Sequence, residues 1–408
     1  MMHLKLAFRN LLRNKRRTTL TLASIVSGVI SLMVYAGFIH YSLWGLREST
    51  IHSGLGHIQI VKNEHYFTSG AFDPFGFSLD RATEITQQIR ALPQVRYVVP
   101  QSTFGSTIGF KDKTGLVMVQ AVPVNTPKDL LRFRRVIQGK DLSQSNTPEM
   151  VLGVGVAKRL GVTIGDQVTL LTATKGGGVN AMDVAVVGIS KSGIREMDNI
   201  YGYIDWELAS HFLFLDGPSV LIGVLDQTEA TNATLRQINA GLKQKGWVAT
   251  ARPWHQLADY YTQAAGFFYA LMVVIKAIVV LVSVFAIINT VTMSVFERVR
   301  EIGMLRIMGS TQGAIMTLFI LEGMMMGLLG GVMGVVGGFG VSAILNLGEW
   351  IYISPPPGMS EGYVAQFKPT VWDAMECVVL ATGVSVLASI YPAFKASKIS
   401  VAEAIRFK

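Results

Sequence analysis

Apolar positions along the chain fall into two kinds of pattern. Four stretches are apolar almost without relief, and between the first and second of these lies a long region where apolar and polar positions alternate. Residues 18–46 contain no Asp, Glu, Lys or Arg, residues 266–296 are interrupted only by Lys276, and residues 311–347 carry Glu322 as their one charge. A fourth run covers residues 371–394. At ~1.5 Å rise per residue each run is long enough to cross a hydrocarbon layer about 30 Å thick. Residues 18–46 are also too long for a signal-peptide core of about 7–15 residues, and no small-x-small cleavage site follows. They are read as a retained span.

Residues 47–265 read as a folded α+β domain. Strand patterns occur at His57–Lys62, Val95–Pro100, Leu116–Val124, Gln167–Thr172, Met182–Ile189 and Val220–Leu225. Helical patterns cover Arg81–Leu92, Gly155–Leu160 and Thr228–Lys245, and Lys175-Gly-Gly-Gly178 supplies a hairpin signal. The expected fold is therefore four transmembrane helices with a large α+β domain between helices 1 and 2, with a subdomain inserted at about residues 130–215. His255–Ala265 should be helical and continue into the second span. A short loop, residues 348–370, joins the third and fourth spans and is stiffened by Ser354-Pro-Pro-Pro-Gly358.

Charge then orients the spans. Only 15% of the residues are charged, against about 25% in ordinary soluble domains. The net charge of +9 is concentrated beside the spans, not in a groove interleaved with aromatics, which argues against nucleic acid. Residues 1–17, with Lys5, Arg9, Arg13, Lys15, Arg16 and Arg17, form a basic amphipathic segment that can meet anionic lipid. Residues 297–310 carry Arg298, Arg300 and Arg306, and residues 395–408 carry Lys395, Lys398, Arg406 and Lys408. Four spans place all three segments on one side, which the positive-inside rule makes cytoplasmic. The α+β domain is then outside. Cys377 is the single cysteine, so that domain has no disulfide to lean on.

Enzyme signatures are missing. Gly153-Val-Gly155-Val-Ala-Lys158 lacks the spacing of a phosphate-binding loop, and no H-E-x-x-H occurs. His40, His52, His57 and His65 share neither a helix face nor a strand face, so no metal is expected. The chain is read as a non-enzyme that binds no cofactor itself.

The charged bridge Glu297-Arg-Val-Arg-Glu-Ile-Gly-Met-Leu-Arg306 is helix-compatible, with i,i+3 pairs Glu297–Arg300 and Arg298–Glu301. Gly309 suits a helix stop, and Ser310 or Thr311 can cap the next helix. Val299, Ile302 and Leu305 drift around the helix instead of forming one stripe. The bridge is either a solvated connector with topogenic arginines or a surface shared between lipid and a protein groove.

This segment resembles the E-R-x-R-E-I-G-x-L-R-A-x-G-A pattern of the MacB/FtsX-like ABC permeases, with Met308 and Ser310 at usually small positions. Tyr391-Pro-Ala-Phe-Lys-Ala-Ser-Lys-Ile-Ser-Val-Ala-Glu-Ala-Ile-Arg406 is similar to the family's C-terminal motif, with Phe394 and Ser400 for the common Arg and Pro. Pro392 is expected to end or kink the last span, and Ser400 with Glu403 to cap a short final helix. Leu160-Gly-Val-Thr-Ile-Gly-Asp-Gln-Val-Thr-Leu170 and Val184-Ala-Val-Val-Gly-Ile-Ser190 resemble its extracytoplasmic motifs. The resemblance implies a bacterial inner-membrane permease in which Glu297, Arg298, Arg300, Glu301, Ile302, Leu305 and Arg306 form a coupling helix. That helix would dock on a partner ABC ATPase, which binds ATP and Mg. A second permease, identical or paralogous, would complete a dimer that transmits motion to the outer domain.

Within the spans, Glu322 lies about 12 Å along the third run at ~1.5 Å per residue. An acid there is paired or turned inward, and the expected partners are Asn289 and Thr290 at similar depth on the second span. Structural packing and proton or substrate handling both remain open for it. Gly323, Gly327 and Gly331, with Ser24 and Gly28 on the first span, offer small-xxx-small faces for close packing. Lys276 can snorkel.

Gly54-Leu-Gly-His-Ile-Gln-Ile60 and Lys191-Ser-Gly-Ile-Arg-Glu-Met-Asp198 look most like the lipoprotein-releasing LolC/LolE branch. That branch implies an acylated cargo and a periplasmic carrier. Here Thr172–Met182 is glycine-rich and lacks the proline-bearing hook. The alternatives within the superfamily are a MacB-like pump with an adaptor and an FtsX-like module that controls a wall hydrolase. A secondary transporter would want inverted repeats, which are not seen.

Overall fold

The computed structural model describes residues 15–70, 72–130, 134–348, 350–354 and 362–399. Most of the basic N-terminal segment, the Pro355–Gly358 turn and the Ser400–Glu403 cap lie outside the described residues. The chain divides into two units: residues 1–44, 264–352 and 364–408 in one, and residues 45–263 and 353–363 in the other.

Helix α1 (Lys15–Thr50) leads into the second unit. Its first layer is a sheet in the order β10 (Thr250–Pro253), β1 (Ile58–Val61), β9 (Val220–Leu225), β2 (Val95–Phe110), with antiparallel neighbours throughout. Two βαβ-like passes build it, one through α2 (Ala82–Arg90) and one through α6 (Thr231–Gln244). Ile85 and Ile89 of α2, and Ile238 and Leu242 of α6, recur at i,i+4 and bury against Ile58, Ile60, Val98, Leu221 and Leu225. The other face packs Val61, Val99, Val220, Ile222 and Val224 with Tyr66 and Leu130. That explains why β9 is apolar at every position: both of its faces are covered. Gly56, at φ +70°, opens this sheet, and a side chain there would run into Ile222.

The second layer is a ring. The distal half of β2 pairs with β3 (Lys113–Val122), and β3 with β8 (Tyr201–Asp205). The circuit continues through β5 (Glu149–Gly153), β7 (Val179–Lys191) and β6 (Gln167–Ala173), which returns to β2 at Thr107–Gly109. Closure leaves these strands few free edges. Phe104, Ile108, Val119, Met150, Leu170 and Val186 fill its interior, with α3 (Val154–Leu160) and α5 (Trp206–Leu213) packed against it. Asp205 caps α5, accepting from the Glu207 and Leu208 amides. Strand β4 (Arg135–Gly139) extends the ring at β7, and α4 (Arg195–Ile200) follows it. The expected insertion at about 130–215 is therefore too narrow. It begins near Ser102, because one long strand, β2, serves both layers.

Among the described residues, four helices including α1 are long and apolar enough to cross a bilayer. Helix α7 (Asp259–Glu297) is a single helix from Asp259 onward, and His255 sits in a preceding 3-10 turn. After α8 (Val299–Ile307) come α9 (Gln312–Leu347) and α10 (Val371–Ser397). Pro392 does not end α10, which continues to Ser397. The glycines of α9 form two faces. Gly323 and Gly327 lie against Ser389 and Ser385 of α10, and Gly331 against Val378. Gly330, Gly334 and Gly338 lie against Ile25, Val29 and Met33 of α1. Gly28 approaches Val279 of α7, and Ser24 accepts through its carbonyl from Ser27. Small residues thus let α9 touch two helices at backbone range.

Candidate functional site

The site is the elbow formed by the end of α7, α8 and the start of α9. Arg298 leaves helical geometry, at φ −116° and ψ 16°, and breaks the bridge into two helices. Gly309 adopts φ +90° and stops the elbow, and Thr311 caps α9 by accepting from the Ala314 amide at 3.2 Å. A left-handed φ of this kind is cheap only for glycine.

Arg298 is turned inward, with 8% of its side chain exposed. Its Nη1 donates to Glu322 Oε2 at 3.2 Å, and its Nε donates to Glu301 Oε2 at 3.1 Å. Ser294 Oγ donates to Glu322 Oε1 at 3.4 Å, and the guanidinium stands over the Phe319 ring at 5.8 Å. Three segments, the end of α7, the elbow and α9, therefore meet on one buried carboxylate. This corrects the expected partner of Glu322. Thr290 bonds Thr21 of α1 instead, and Asn289 is exposed. Glu322 points one to two turns closer to the elbow, because the break at Arg298 folds the arginine back over α9.

The elbow is two-faced. Val299, Ile302 and Gly303 are buried, and Ile302 joins the apolar core with Ile287, Val291, Val295, Ile315 and Phe319. On the opposite face Arg300, Met304, Ile307 and Met308 recur at i, i+4, i+7 and i+8, and Met304, Ile307 and Met308 are 62%, 63% and 73% exposed. A mixed surface without a stripe was expected from Val299, Ile302 and Leu305. The stripe exists, but the methionines and Ile307 carry it. Glu297, at the end of α7, is exposed, while Leu305 and Arg306 are half-buried. Of the candidate coupling residues, Arg298 and Ile302 hold the elbow in place and are not available to a partner.

A second polar cluster, which sequence reasoning missed, occupies the end of the bundle away from the elbow. His40 Nδ1 lies 3.2 Å from Asp373 Oδ2, and Asp373 forms a capping box with Thr370. Lys276, expected to snorkel, pairs with Glu376. The signal was present: two acids, Asp373 and Glu376, in the first turns of an apolar run. His52 and His57 serve the sheet unit. His57 Nδ1 accepts from the Leu225 amide at 3.2 Å, and His52 Nδ1 lies 2.7 Å from the Asp129 carbonyl.

Comparison with known families decides the assignment. The model for the MacB-like periplasmic core domain matches residues 18–240, more than half of the chain, and that for the FtsX-like permease C-terminal region matches residues 273–401. The chain belongs to the MacB/FtsX-like family of ABC transporter permeases. Among relatives of this permease, the lipoprotein-releasing system transmembrane protein LolC of Neisseria meningitidis serogroup B is 28% identical over 64% of this chain and 65% of its own length. The corresponding LolE of Haemophilus influenzae is 25% identical over 79% of this chain and 80% of its own. The macrolide export ATP-binding/permease protein MacB of Chlorobaculum tepidum is 27% identical over 98% of this chain but 61% of its own length. The match to the first of these relatives thus spans just under two thirds of that protein. In the family's terms, the elbow is the segment between the second and third spans.

Proposed function

We propose that this permease couples ATP hydrolysis by a separate ATPase subunit to movement of its sheet unit, and that the cargo is a lipoprotein or lipid leaving the inner membrane. The observation that carries the reading is the construction of the elbow. One face is fixed into the bundle by Arg298, Glu322 and Ile302, and the other presents Arg300, Met304, Ile307 and Met308. A surface helix fastened by a buried charge pair moves with its neighbours when pushed, and a free connector would not. Exposed thioethers adapt to a groove in a partner, and Arg300 can select an acidic rim.

The basic residues flanking the spans support a cytoplasmic elbow and cytoplasmic termini. Helices α1 and α7 each run unbroken past the ends of the apolar runs, so they can convey displacement. Phe267, Val273, Ile278 and Phe285 leave α7 with an exposed apolar face that suits lipid or a second permease, identical or paralogous. Lipoprotein release is favoured by the LolC and LolE relatives. An adaptor-linked pump is the second reading, favoured by the MacB relative that covers 98% of the chain. A periplasmic carrier belongs to the first reading and an adaptor to the second.

The test uses the permease reconstituted with its ATPase in nanodiscs. Arg300→Glu and Met304→Glu should each lower ATPase recovery on the permease and cargo-stimulated hydrolysis about tenfold, equivalent to about 1.4 kcal/mol. Insertion and the yield of folded permease should be unchanged. Full coupling in both variants would return the elbow to a mere connector.

A further inference from the structure

A cavity of about 430 Å³ opens in the sheet unit between the end of β3, the loop that follows it and β4. Val122, Pro123, Val124, Val136 and Leu142 give it apolar walls. Arg134, Lys128, Asp129 and Asp141 line it as well. The volume falls in the range of about 300–1,000 Å³ typical of small-molecule sites.

Arg134 is the unusual member. Its side chain is only 4% exposed, and its guanidinium stacks on the Tyr203 ring at 4.5 Å. Nη2 donates to both carboxylate oxygens of Asp141, at 2.9 and 2.7 Å. Nε and Nη1 are buried with no hydrogen-bond partner among the described residues. Guanidinium carries five N–H donors and cannot lose its charge, so it cannot escape this deficit by neutralising. Each buried donor left empty carries a desolvation cost that no partner offsets.

The charges around the cavity point to the sign of that acceptor. Arg134 is matched by Asp141, and Asp129 is held by Arg96 at 2.8 Å. Lys128 is exposed at the cavity and forms no ion pair among the described residues, so among the described lining residues one positive charge is left over. A neutral acceptor would satisfy Arg134 and ignore Lys128. Bare phosphate would satisfy both cations and leave the half-buried Pro123, Val124, Val136 and Leu142 facing water.

We propose that this cavity binds a small organic oxyanion, a carboxylate or phosphate ester on a short apolar body, with the anionic group on Arg134 and Lys128 and the body against Val122, Val124, Val136 and Leu142. It is independent of the elbow and of the coupling reading.

The test is calorimetric titration of the full chain in nanodiscs with hexanoate, inorganic phosphate and 1-hexanol. Hexanoate should bind saturably and lose affinity as salt is raised. Hexanol should not compete, and phosphate should bind at least about tenfold more weakly, as expected if apolar burial contributes. Lys128→Gln, an exposed change that leaves folding intact, should weaken hexanoate about threefold or more, and Arg134→Lys about tenfold, because the planar fork is lost. Absence of saturable hexanoate binding up to about 10 mM, which is weaker than about −3 kcal/mol, would overturn the proposal. So would affinity unchanged in Lys128→Gln, or phosphate binding as tightly as hexanoate.

Discussion

Arg298→Ala should destabilise the helical bundle by about 3–5 kcal/mol, because it strips the buried Glu322 carboxylate of the Arg298 guanidinium. Glu322 is 7% exposed on its side chain, and its two oxygens are taken by Arg298 and Ser294. Removing the guanidinium deletes the charged donor to Oε2 and keeps the neutral Ser294 hydroxyl 3.4 Å from Oε1. The double replacement Arg298→Met with Glu322→Met should be much milder than the sum of the two single changes, since no charge is then left buried. Thermal unfolding of the purified permease in one detergent checks both points. Additive losses would mean the two side chains do not depend on each other. Glu322→Gln keeps an acceptor for Arg298 and should preserve assembly, coupling and transport together. Intact assembly with lost transport would instead make Glu322 a participant in proton or cargo handling.

The second large effect concerns acid. Burial, followed by the nearby His52 and Arg47, pushes the His57 imidazole down to about 4. The structure supplies the reason: Nδ1 accepts from the Leu225 amide at 3.2 Å, and Nε2 lies 3.1 Å from Thr228 Oγ1. A second proton would occupy the lone pair that Leu225 uses. The folded value lies below the unfolded value of about 6.5, so the unfolded chain binds more protons between them. The stabilisation is therefore complete above pH about 6.5 and is lost as pH falls toward 4. The whole interval amounts to about 3 kcal/mol. His57→Asn keeps an acceptor near Leu225 and cannot titrate, so its stability should be flatter over that window. Denaturant unfolding followed by the sheet unit's tryptophan signal at a series of pH values reads this directly. Equal slopes for the two proteins would remove His57 as the cause.

Parts of this molecule were legible in the sequence for identifiable reasons. The four apolar helices announce themselves because a bilayer demands runs of apolar residues, and chain order preserves them. Most strands of the sheet unit were also visible, since β6 alternates buried and exposed positions at every residue. Their arrangement was not visible. Ring closure depends on Thr107–Gly109 meeting Thr169–Leu171, a pairing between segments some sixty residues apart with no local signature. The shared strand β2 also hid the start of the insertion, because its alternation runs on without a break.

At the elbow the sequence marked out Glu297–Arg306 as one charged bridge but misjudged the directions of its side chains. Arg298 sits among charges and reads as a surface residue, yet a change of backbone angle at that one position turns it beneath the helix. Met304, Ile307 and Met308 were overlooked because the apolar count was made on the residues that prove to be inside. The cluster of His40, Asp373, Lys276 and Glu376 escaped because its members come from three different helices.

The central claim is that the outward face of α8 meets an ATPase on the cytoplasmic side. Cys377 is the single native cysteine, so Cys377→Ala gives a background for Met304→Cys and, in the sheet unit, for Val179→Cys, where the native side chain is 70% exposed. Intact cells treated with a membrane-impermeant maleimide should label the Val179→Cys protein and leave the Met304→Cys protein unlabelled until the membrane is opened. In opened cells a short bifunctional reagent should join the Met304→Cys protein to a nucleotide-hydrolysing subunit. Labelling of Met304→Cys from outside, or its failure to join any such subunit, would contradict the account.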